Sequence, residues 1–133
     1  MFSKSLFAAV VLAAGLAAPA LFAATPGYVP KRVIVQQTDV PGSNYTVIMA
    51  VTDIAANEVA ARHTHPGAEV AYVLAGEADF VIEGKGTMHV KAGESFHLDP
   101  GVKHSVKNGP TPMKILAVYT IPKGAELATP APE

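Results

Sequence analysis

Nine short runs of strand-forming residues follow one another between positions 33 and 121, with turn-forming residues between them. Val, Ile, Tyr and Thr dominate the runs, Gly, Pro and Asn separate them, and no segment shows the apolar spacing of an amphipathic helix. This pattern predicts an all-β fold, a small antiparallel β-barrel or jelly roll. The predicted strands are 33–37, 45–52, 58–64, 69–75, 78–83, 87–91, 95–98, 104–107 and 113–121.

The first two dozen positions have a different character. Lys4 precedes an uncharged run from Leu6 to Ala18, and small residues follow that run. The run is short for a membrane span, and its order of charge, apolar run and small residues is typical of a secretory signal peptide. An apolar core helix or a retained membrane anchor are the alternatives. We predict a signal peptide over 1–24, cut between Ala20 and Ala24, and hence an exported protein, periplasmic or secreted, without a membrane anchor.

The rest of the chain is predicted to be one domain over 25–126, followed by a disordered tail over 127–133 that contains Pro130 and Pro132. The 10 basic and 11 acidic residues give no basic footprint for nucleic acid. The chain has no cysteine, so a metal site must use nitrogen and oxygen ligands.

Residue alternation predicts which strand faces are buried. In the fifth predicted strand Ala78 and Phe80 share one face, while Glu77 and Asp79 share the other, so this strand is expected to be half-buried. Residues 70–75 and 113–121 are apolar on both faces. Other strands or a second subunit must then cover both sides, and we predict a homodimer.

Two histidines and a carboxylate form the first chemical motif. His63 and His65 are two positions apart, so their side chains project to the same side of an extended strand. The Pro66–Gly67 turn reverses the chain and brings Glu69 alongside them. Two histidines at this spacing are more often surface residues than ligands, and only further ligands strengthen the prediction of a metal site.

A second motif supplies a third histidine, His104, and with it the sequence resembles the cupin family. The first segment is similar to cupin motif one, G-x5-H-x-H-x3-E-x6-G, and the second to motif two, G-x5-P-x-G-x2-H-x3-N. The matching residues are His63, His65, Glu69 and Gly76 in the first motif, and Gly93, Gly101, His104 and Asn108 in the second. The three glycines are interpreted as architectural.

Two positions depart from the family pattern. Asn57 stands in place of the leading glycine of motif one, and Asp99 stands in place of the proline of motif two, with Pro100 following it. Asparagine tolerates the left-handed backbone better than most residues, so the first change is expected to preserve the fold. The second affects a turn and no ligand.

The resemblance implies that His63, His65, Glu69 and His104 bind one divalent transition metal ion. Such a ligand set suits Fe, Mn, Ni, Co, Cu or Zn, and it leaves open coordination positions for a small-molecule ligand or substrate.

Candidates for other roles are weaker. We expect His89 to be a solvated surface residue, and Tyr72 and Tyr119 to be packing residues. Arg62 is expected to be solvated, with an anion-binding role as the alternative. No catalytic residue is assigned. His97 falls on the strand face opposite Phe96 and Leu98, which favours an exposed position, and the alternative is a role as acid or base near the metal. Tyr119 and Glu83 are further candidates.

The resemblance to quercetinase-like cupins favours a metal-dependent dioxygenase that acts on a small organic molecule. A metal-dependent isomerase, epimerase or lyase remains an alternative, and so does a non-catalytic module that binds a small ligand or the metal itself. Whether the protein is an enzyme is therefore open. Nuclease, protease and phosphate-loop functions have no supporting motif.

Overall fold

The computed structural model describes residues 23–133, so all but the last two residues of the predicted signal peptide lie outside the described part of the chain. No helix in the described residues is long and apolar enough to span a membrane. All nine predicted strands are present, and a tenth follows them. The strands are β1 (Lys31–Asp39), β2 (Tyr45–Ile54), β3 (Val59–Thr64), β4 (Ala68–Ala75), β5 (Glu77–Ile82), β6 (Gly86–Lys91), β7 (Ser95–Leu98), β8 (His104–Asn108), β9 (Met113–Pro122) and β10 (Thr129–Pro130).

The strands form two five-stranded antiparallel sheets, which confirms the predicted all-β class. Sheet A has the order β1-β2-β9-β4-β7, and sheet B has the order β10-β3-β8-β5-β6. Apolar side chains from both sheets meet between them. Phe80 of sheet B and Phe96 of sheet A lie with ring centroids 4.6 Å apart, so the two sheets share one core.

Burial follows the predicted alternation in β5. Ala78, Phe80 and Ile82 are buried, whereas Glu77 is exposed and Asp79 is partly exposed. The side chains of a strand point to opposite faces in turn, and here only the apolar set meets the other sheet.

Asn57 adopts the left-handed backbone with φ of 60°, the one non-glycine residue with positive φ among residues 23–133. Its N–H donates to the carbonyl of Gly109 at 2.8 Å, which joins the turn before β3 to the end of β8. Asparagine thus takes the place of the glycine at this motif position because it tolerates this conformation.

The outer face of β4 is not covered by any described part of the chain. Val70, Tyr72 and Leu74 are 57%, 47% and 45% exposed. The expectation that Tyr72 is a packing residue is therefore wrong for the single chain. Of the two ways to cover both faces of β4, the one that uses only strands of the same chain does not hold for the described residues. The homodimer, in which a second subunit covers this face, stays a prediction.

The last residues differ from the predicted disordered tail. Thr129 and Pro130 pair with Thr64 and His63 at the free edge of β3, and Leu127 packs against the core. Pro130 is compatible with an edge strand because the N–H that proline lacks is not needed there. Backbone pairing to an open edge and burial of Leu127 order a segment whose composition alone suggested disorder.

Candidate metal centre

Three histidines converge at one end of sheet B. His63 and His104 face each other across β3 and β8, and His65 follows β3 on the same side of the chain as His63. The ring centroid of His63 lies 4.3 Å from that of His104 and 4.9 Å from that of His65. One nitrogen from each ring lies within 4.8 Å of the other two, so the three histidines are positioned to bind one metal ion.

Backbone carbonyls fix the tautomer of all three rings. A carbonyl oxygen only accepts hydrogen bonds, so each Nδ1 that contacts one must carry the hydrogen. The Nε2 atom of each ring then keeps its lone pair, which is the state that a metal requires. The Nδ1 atoms of His63, His65 and His104 donate to the carbonyls of Ala61 at 2.8 Å, Leu127 at 2.6 Å and Val102 at 3.1 Å.

The environment also keeps the rings neutral. Burial lowers the pKa of His65 to about 3 and that of His104 to about 4. Burial lowers the pKa of His63 as well, and the nearby Arg32 charge acts in the same direction. Neutral imidazole is the ligand form, so these residues are ready to bind a metal at neutral pH without losing a proton.

Glu69 adjoins this cluster from sheet A. Its carboxylate is buried, and the Tyr119 hydroxyl donates to Oε1 at 3.2 Å. The other oxygen, Oε2, has no hydrogen-bond donor in the described residues and lies 3.3 Å from Nε2 of His65. Because His65 carries its hydrogen on Nδ1, two lone pairs face each other here. A proton or a cation must lie between them for the contact to be favourable.

The acidity of Glu69 agrees with this geometry. Burial raises the pKa of this carboxyl to about 7, although the Tyr119 hydrogen bond and the Arg32 charge both act to lower it. Below that pH the carboxyl holds a proton that it can donate to His65. A bound divalent ion would replace that proton and satisfy both acceptors.

The turn between the ligands depends on close backbone packing. A Cβ at Gly67 would lie 1.8 Å from the carbonyl oxygen of Thr120, so only glycine lets the turn lie against β9. The His65 carbonyl accepts from the N–H of Gly101 at 2.8 Å, which joins this turn to the loop before His104. Both motif segments are therefore held together by backbone contacts beside the ligands.

The donor set suits a divalent transition metal ion. Three neutral imidazole nitrogens and an adjoining carboxylate are ligands that Fe, Mn, Ni, Co, Cu and Zn accept, and ligand type alone does not choose among them. The structure brings the three histidines together as a candidate metal site. The role of Glu69 as the fourth ligand stays a prediction, supported by its unsatisfied oxygen.

The histidines line an inner pocket of about 370 Å³, whose walls also include Glu69 and Tyr119. An outer cavity of about 650 Å³ adjoins it, and both volumes include space open to solvent. Arg32 and His63 line both spaces, so the outer cavity leads to the candidate site. The remaining walls of the outer cavity are Tyr28, Val29, Pro30, Ala60, Ala61 and Ala128.

Two of the predicted acid or base candidates lie away from the pocket. His97 is exposed on the outer face of sheet A, where it pairs with Val70, as its position opposite Phe96 and Leu98 indicated, and the alternative role beside the metal is not supported. Glu83 is half-exposed and forms ion pairs with Arg62 at 2.6 Å and Lys103 at 3.4 Å. The ion pair with Glu83 also weakens the alternative in which Arg62 binds an anion.

His89 is exposed as predicted. Its Nδ1 lies 2.8 Å from Oδ1 of Asp79, and its Nε2 lies 3.6 Å from Oε2 of Glu77. The hydrogen bond to Asp79 raises the pKa of His89, and the charges of both carboxylates act in the same direction.

Sequence reasoning missed two contributors to the site. Arg32 lines the pocket, and Leu127 supplies the carbonyl to His65. Tyr119, a candidate from the sequence, does line the pocket, where it is a hydrogen-bond donor to Glu69 as well as a buried packing residue. Arg32 could have been noticed as a charged residue at the start of a strand-forming run. It was overlooked because the predicted first strand began at position 33, one residue after it. No sequence pattern identifies a carbonyl 62 positions from its partner.

Comparison with known proteins gives a consistent result. A sequence profile of the cupin domain matches residues 50–119, which is 70 of the 133 residues and includes all four predicted ligands. No curated protein sequence matches the chain. Among solved structures, the chain is similar to an uncharacterized conserved protein with a double-stranded β-helix domain from Klebsiella pneumoniae. That match has 27% identity and a TM-score of 0.61, and it covers 78% of this chain and 85% of the other.

Two further solved structures show the same fold at lower identity. A DMSP lyase from Ruegeria pomeroyi is 22% identical, with a TM-score of 0.59, over 67% of this chain and 44% of the lyase. An oxalate decarboxylase from Lactobacillus farciminis is 21% identical, with a TM-score of 0.56, over 63% of this chain and 26% of the decarboxylase. The match therefore spans less than half of the lyase and about a quarter of the decarboxylase.

Proposed function

The chain belongs to the cupin domain family, and from this premise we propose that it binds one divalent transition metal ion and uses it in a reaction of a small organic molecule. His63, His65 and His104 are the nitrogen ligands, and Glu69 is the oxygen ligand. The ion is Fe, Mn, Ni, Co, Cu or Zn.

The observation that carries this proposal is the contact between His65 and Glu69. Nε2 of His65 and Oε2 of Glu69 are both acceptors, both are buried, and they lie 3.3 Å apart. A purely structural carboxylate in a core is expected to have its oxygens satisfied by donors. Here one oxygen is satisfied by Tyr119, and the other is directed at the unprotonated nitrogen of a histidine.

The proposed reaction class is that of a dioxygenase. A bound ion of this kind supplies Lewis acidity and, if it is redox-active, a route to dioxygen. The chain itself holds the ligands, positions the substrate and limits the access of water through apolar walls that include Ile54, Phe80 and Ile115. Tyr119 and Glu69 bond to each other, so the described pocket offers no independent acid–base pair. A reaction that depends mainly on the ion fits this pocket best.

A metal-dependent lyase, isomerase or epimerase is the second candidate, and the observation that favours it is the Tyr119 hydroxyl. This hydroxyl lies in the inner pocket, and a phenol holds its proton at neutral pH, so it is a group that could donate a proton there. The lyase and decarboxylase that share the fold are consistent with this candidate.

Metal content and dioxygen uptake test the proposal together. We expect about one equivalent of metal in protein purified from its native compartment. Protein reconstituted with a redox-active ion should consume dioxygen in proportion to a small organic substrate. Turnover without dioxygen uptake would instead support the lyase or isomerase candidate. Binding of a ligand without turnover would support a non-catalytic module. A protein that neither contains nor takes up metal would contradict the whole proposal.

We also propose that residues 1–24 direct export, on the basis of their sequence pattern. N-terminal sequencing of protein from the periplasm or medium should give a first residue within 21–25. An intact Met1 in protein recovered from the cytoplasm would contradict export.

A further inference from the structure

Arg32 lies at the boundary between the inner pocket and the outer cavity. Its Nε donates to Oγ1 of Thr52 at 3.3 Å, and its guanidinium carbon lies 5.8 Å from the centre of the Tyr119 ring. Among residues 23–133, no carboxylate forms an ion pair with it. The other arginine of the described chain, Arg62, is paired with Glu83 at 2.6 Å. Arg32 therefore directs a free guanidinium toward the approach to the site.

The charge around Arg32 favours an anion. The histidine ligands would bind an ion as neutral imidazoles and add no charge. Glu69 is the one acidic residue among the described walls of either space. A divalent ion with one carboxylate ligand keeps one positive charge, and Arg32 adds a second. A ligand that carries a negative charge is therefore favoured, and a single carboxylate offsets one of these two charges.

The outer cavity limits the rest of the ligand. Apart from Arg32 and His63, its walls are the apolar or small residues Tyr28, Val29, Pro30, Ala60, Ala61 and Ala128. Such walls favour the burial of a short apolar body and offer few partners to a polyhydroxylated one. Because Nε of Arg32 is bonded to Thr52, its two terminal nitrogens remain, and they match the two oxygens of a carboxylate through parallel hydrogen bonds.

From these observations we infer that Arg32 binds the carboxylate of the substrate, and that the substrate class is a small organic monocarboxylate with an apolar body. The carboxylate lies between Arg32 and the metal position, and the apolar body lies in the outer cavity. The inference deepens the proposed function and rests on it for the second positive charge. It makes Arg32 a residue that determines specificity.

Titration calorimetry with butyrate, and with butyramide as the uncharged control, tests the inference on the Ni(II)-loaded chain. Butyrate should bind and butyramide should not. Arg32→Gln should weaken butyrate binding about tenfold or more, because a charge-assisted hydrogen bond is lost. Arg32→Lys, which keeps the charge but not the planar fork, should weaken it less. Arg62→Gln is the matched control and should bind butyrate as the unmodified protein does.

Metal analysis of the same samples separates the two proposals. If no variant takes up Ni(II), the proposed metal function fails first. If all take up one equivalent but Arg32→Gln and Arg32→Lys bind butyrate unchanged, the role of Arg32 is overturned and the metal site stands. Binding of inorganic phosphate that is as tight as that of butyrate, and equally sensitive to Arg32→Gln, would overturn the assignment of a carboxylate.

Discussion

Two groups of histidines in sheet B have opposite acid–base properties. His63 and His104 on β3 and β8, with His65 beside them, are shielded from solvent, and burial lowers their pKa values. His89 on β6 is exposed, and its hydrogen bond to Asp79 raises its pKa. Burial of the first group and the carboxylate partners of His89 account for the difference. Burial keeps the first rings neutral although the carbonyl on each Nδ1 acts to raise the pKa, whereas the carboxylates beside His89 favour the protonated ring, which cannot bind a metal.

Loss of a histidine from the buried group should have the largest effect on metal affinity, and loss of the exposed histidine provides the comparison. His104→Ala should lower metal affinity by more than about 100-fold, because loss of a ligand exceeds the effect known for residues that only orient ligands. His89→Ala is the control and should retain full affinity. Competition with a chromophoric chelator measures both. Equal losses in the two variants would contradict the assignment of the site.

Removal of the carbonyl that orients His65 should have the next largest effect. A chain that ends at Glu126 lacks Leu127, so Nδ1 of His65 loses its acceptor, and metal affinity should fall about 10- to 100-fold. A chain that ends at Ala131 keeps both Leu127 and β10, and it should bind metal normally. The same chelator competition applies. Full affinity in the shorter chain would show that Leu127 does not orient the ligand.

The pH dependence of metal binding near neutral pH should report Glu69 rather than His65 and His104. Between pH 5 and pH 7 His65 and His104 are already neutral, whereas Glu69, with its pKa raised to about 7, must release a proton to the solvent. Affinity should therefore rise about tenfold per pH unit up to about pH 7 and then level off.

Glu69→Gln should remove this slope and lower the affinity, since an amide has no proton to release and is a weaker ligand. In the metal-free protein, ionisation of Glu69 has the opposite effect, because it lowers the stability of the fold as pH rises. The stabilising contribution of the protonated carboxyl is complete below its unfolded pKa of 4.5 and is lost as pH rises through about 7. A slope that persists in Glu69→Gln would assign the proton to another group.

The buried cluster should also be coupled to folding. Tyr119→Phe leaves Oε1 of Glu69 without its donor in the core, and should lower the free energy of unfolding of the metal-free protein by about 1–3 kcal/mol. Tyr72→Phe removes the hydroxyl of a half-exposed residue for which the structure shows no hydrogen bond. This change should alter the free energy of unfolding by less than about 0.5 kcal/mol. Urea denaturation measures both values, and similar results for the two variants would contradict this coupling.

The smallest effect concerns the exposed group. Asp79→Asn removes the strongest cause of the raised pKa of His89, so the pKa of that histidine should fall toward its ordinary value while metal affinity is unchanged. NMR titration of the imidazole signals follows the change directly. An altered metal affinity in this variant would show that the two groups are coupled through β5.

Local patterns in the sequence predicted most of the fold and the first ligands. Strand alternation identified the buried face of β5, and the spacing of His63 and His65 predicted that their rings lie together. The resemblance to the cupin motifs implied that His104 joins them, and the structure brings the three histidines together. Arg32 and Leu127 were missed because their roles depend on contacts between distant strands. Alternation also placed His97 on the face opposite Phe96 and Leu98, and the structure shows it exposed there.

The hydrogen bond from His65 to the Leu127 carbonyl has a consequence for the order of events during folding. The four predicted ligands all precede Leu127 in the chain, and until the last segment docks against β3 the ring of His65 lacks the acceptor that orients it. We therefore expect metal bound before this step to exchange more readily than metal bound after it. Docking of β10 is then the step that would convert reversible metal capture into retention.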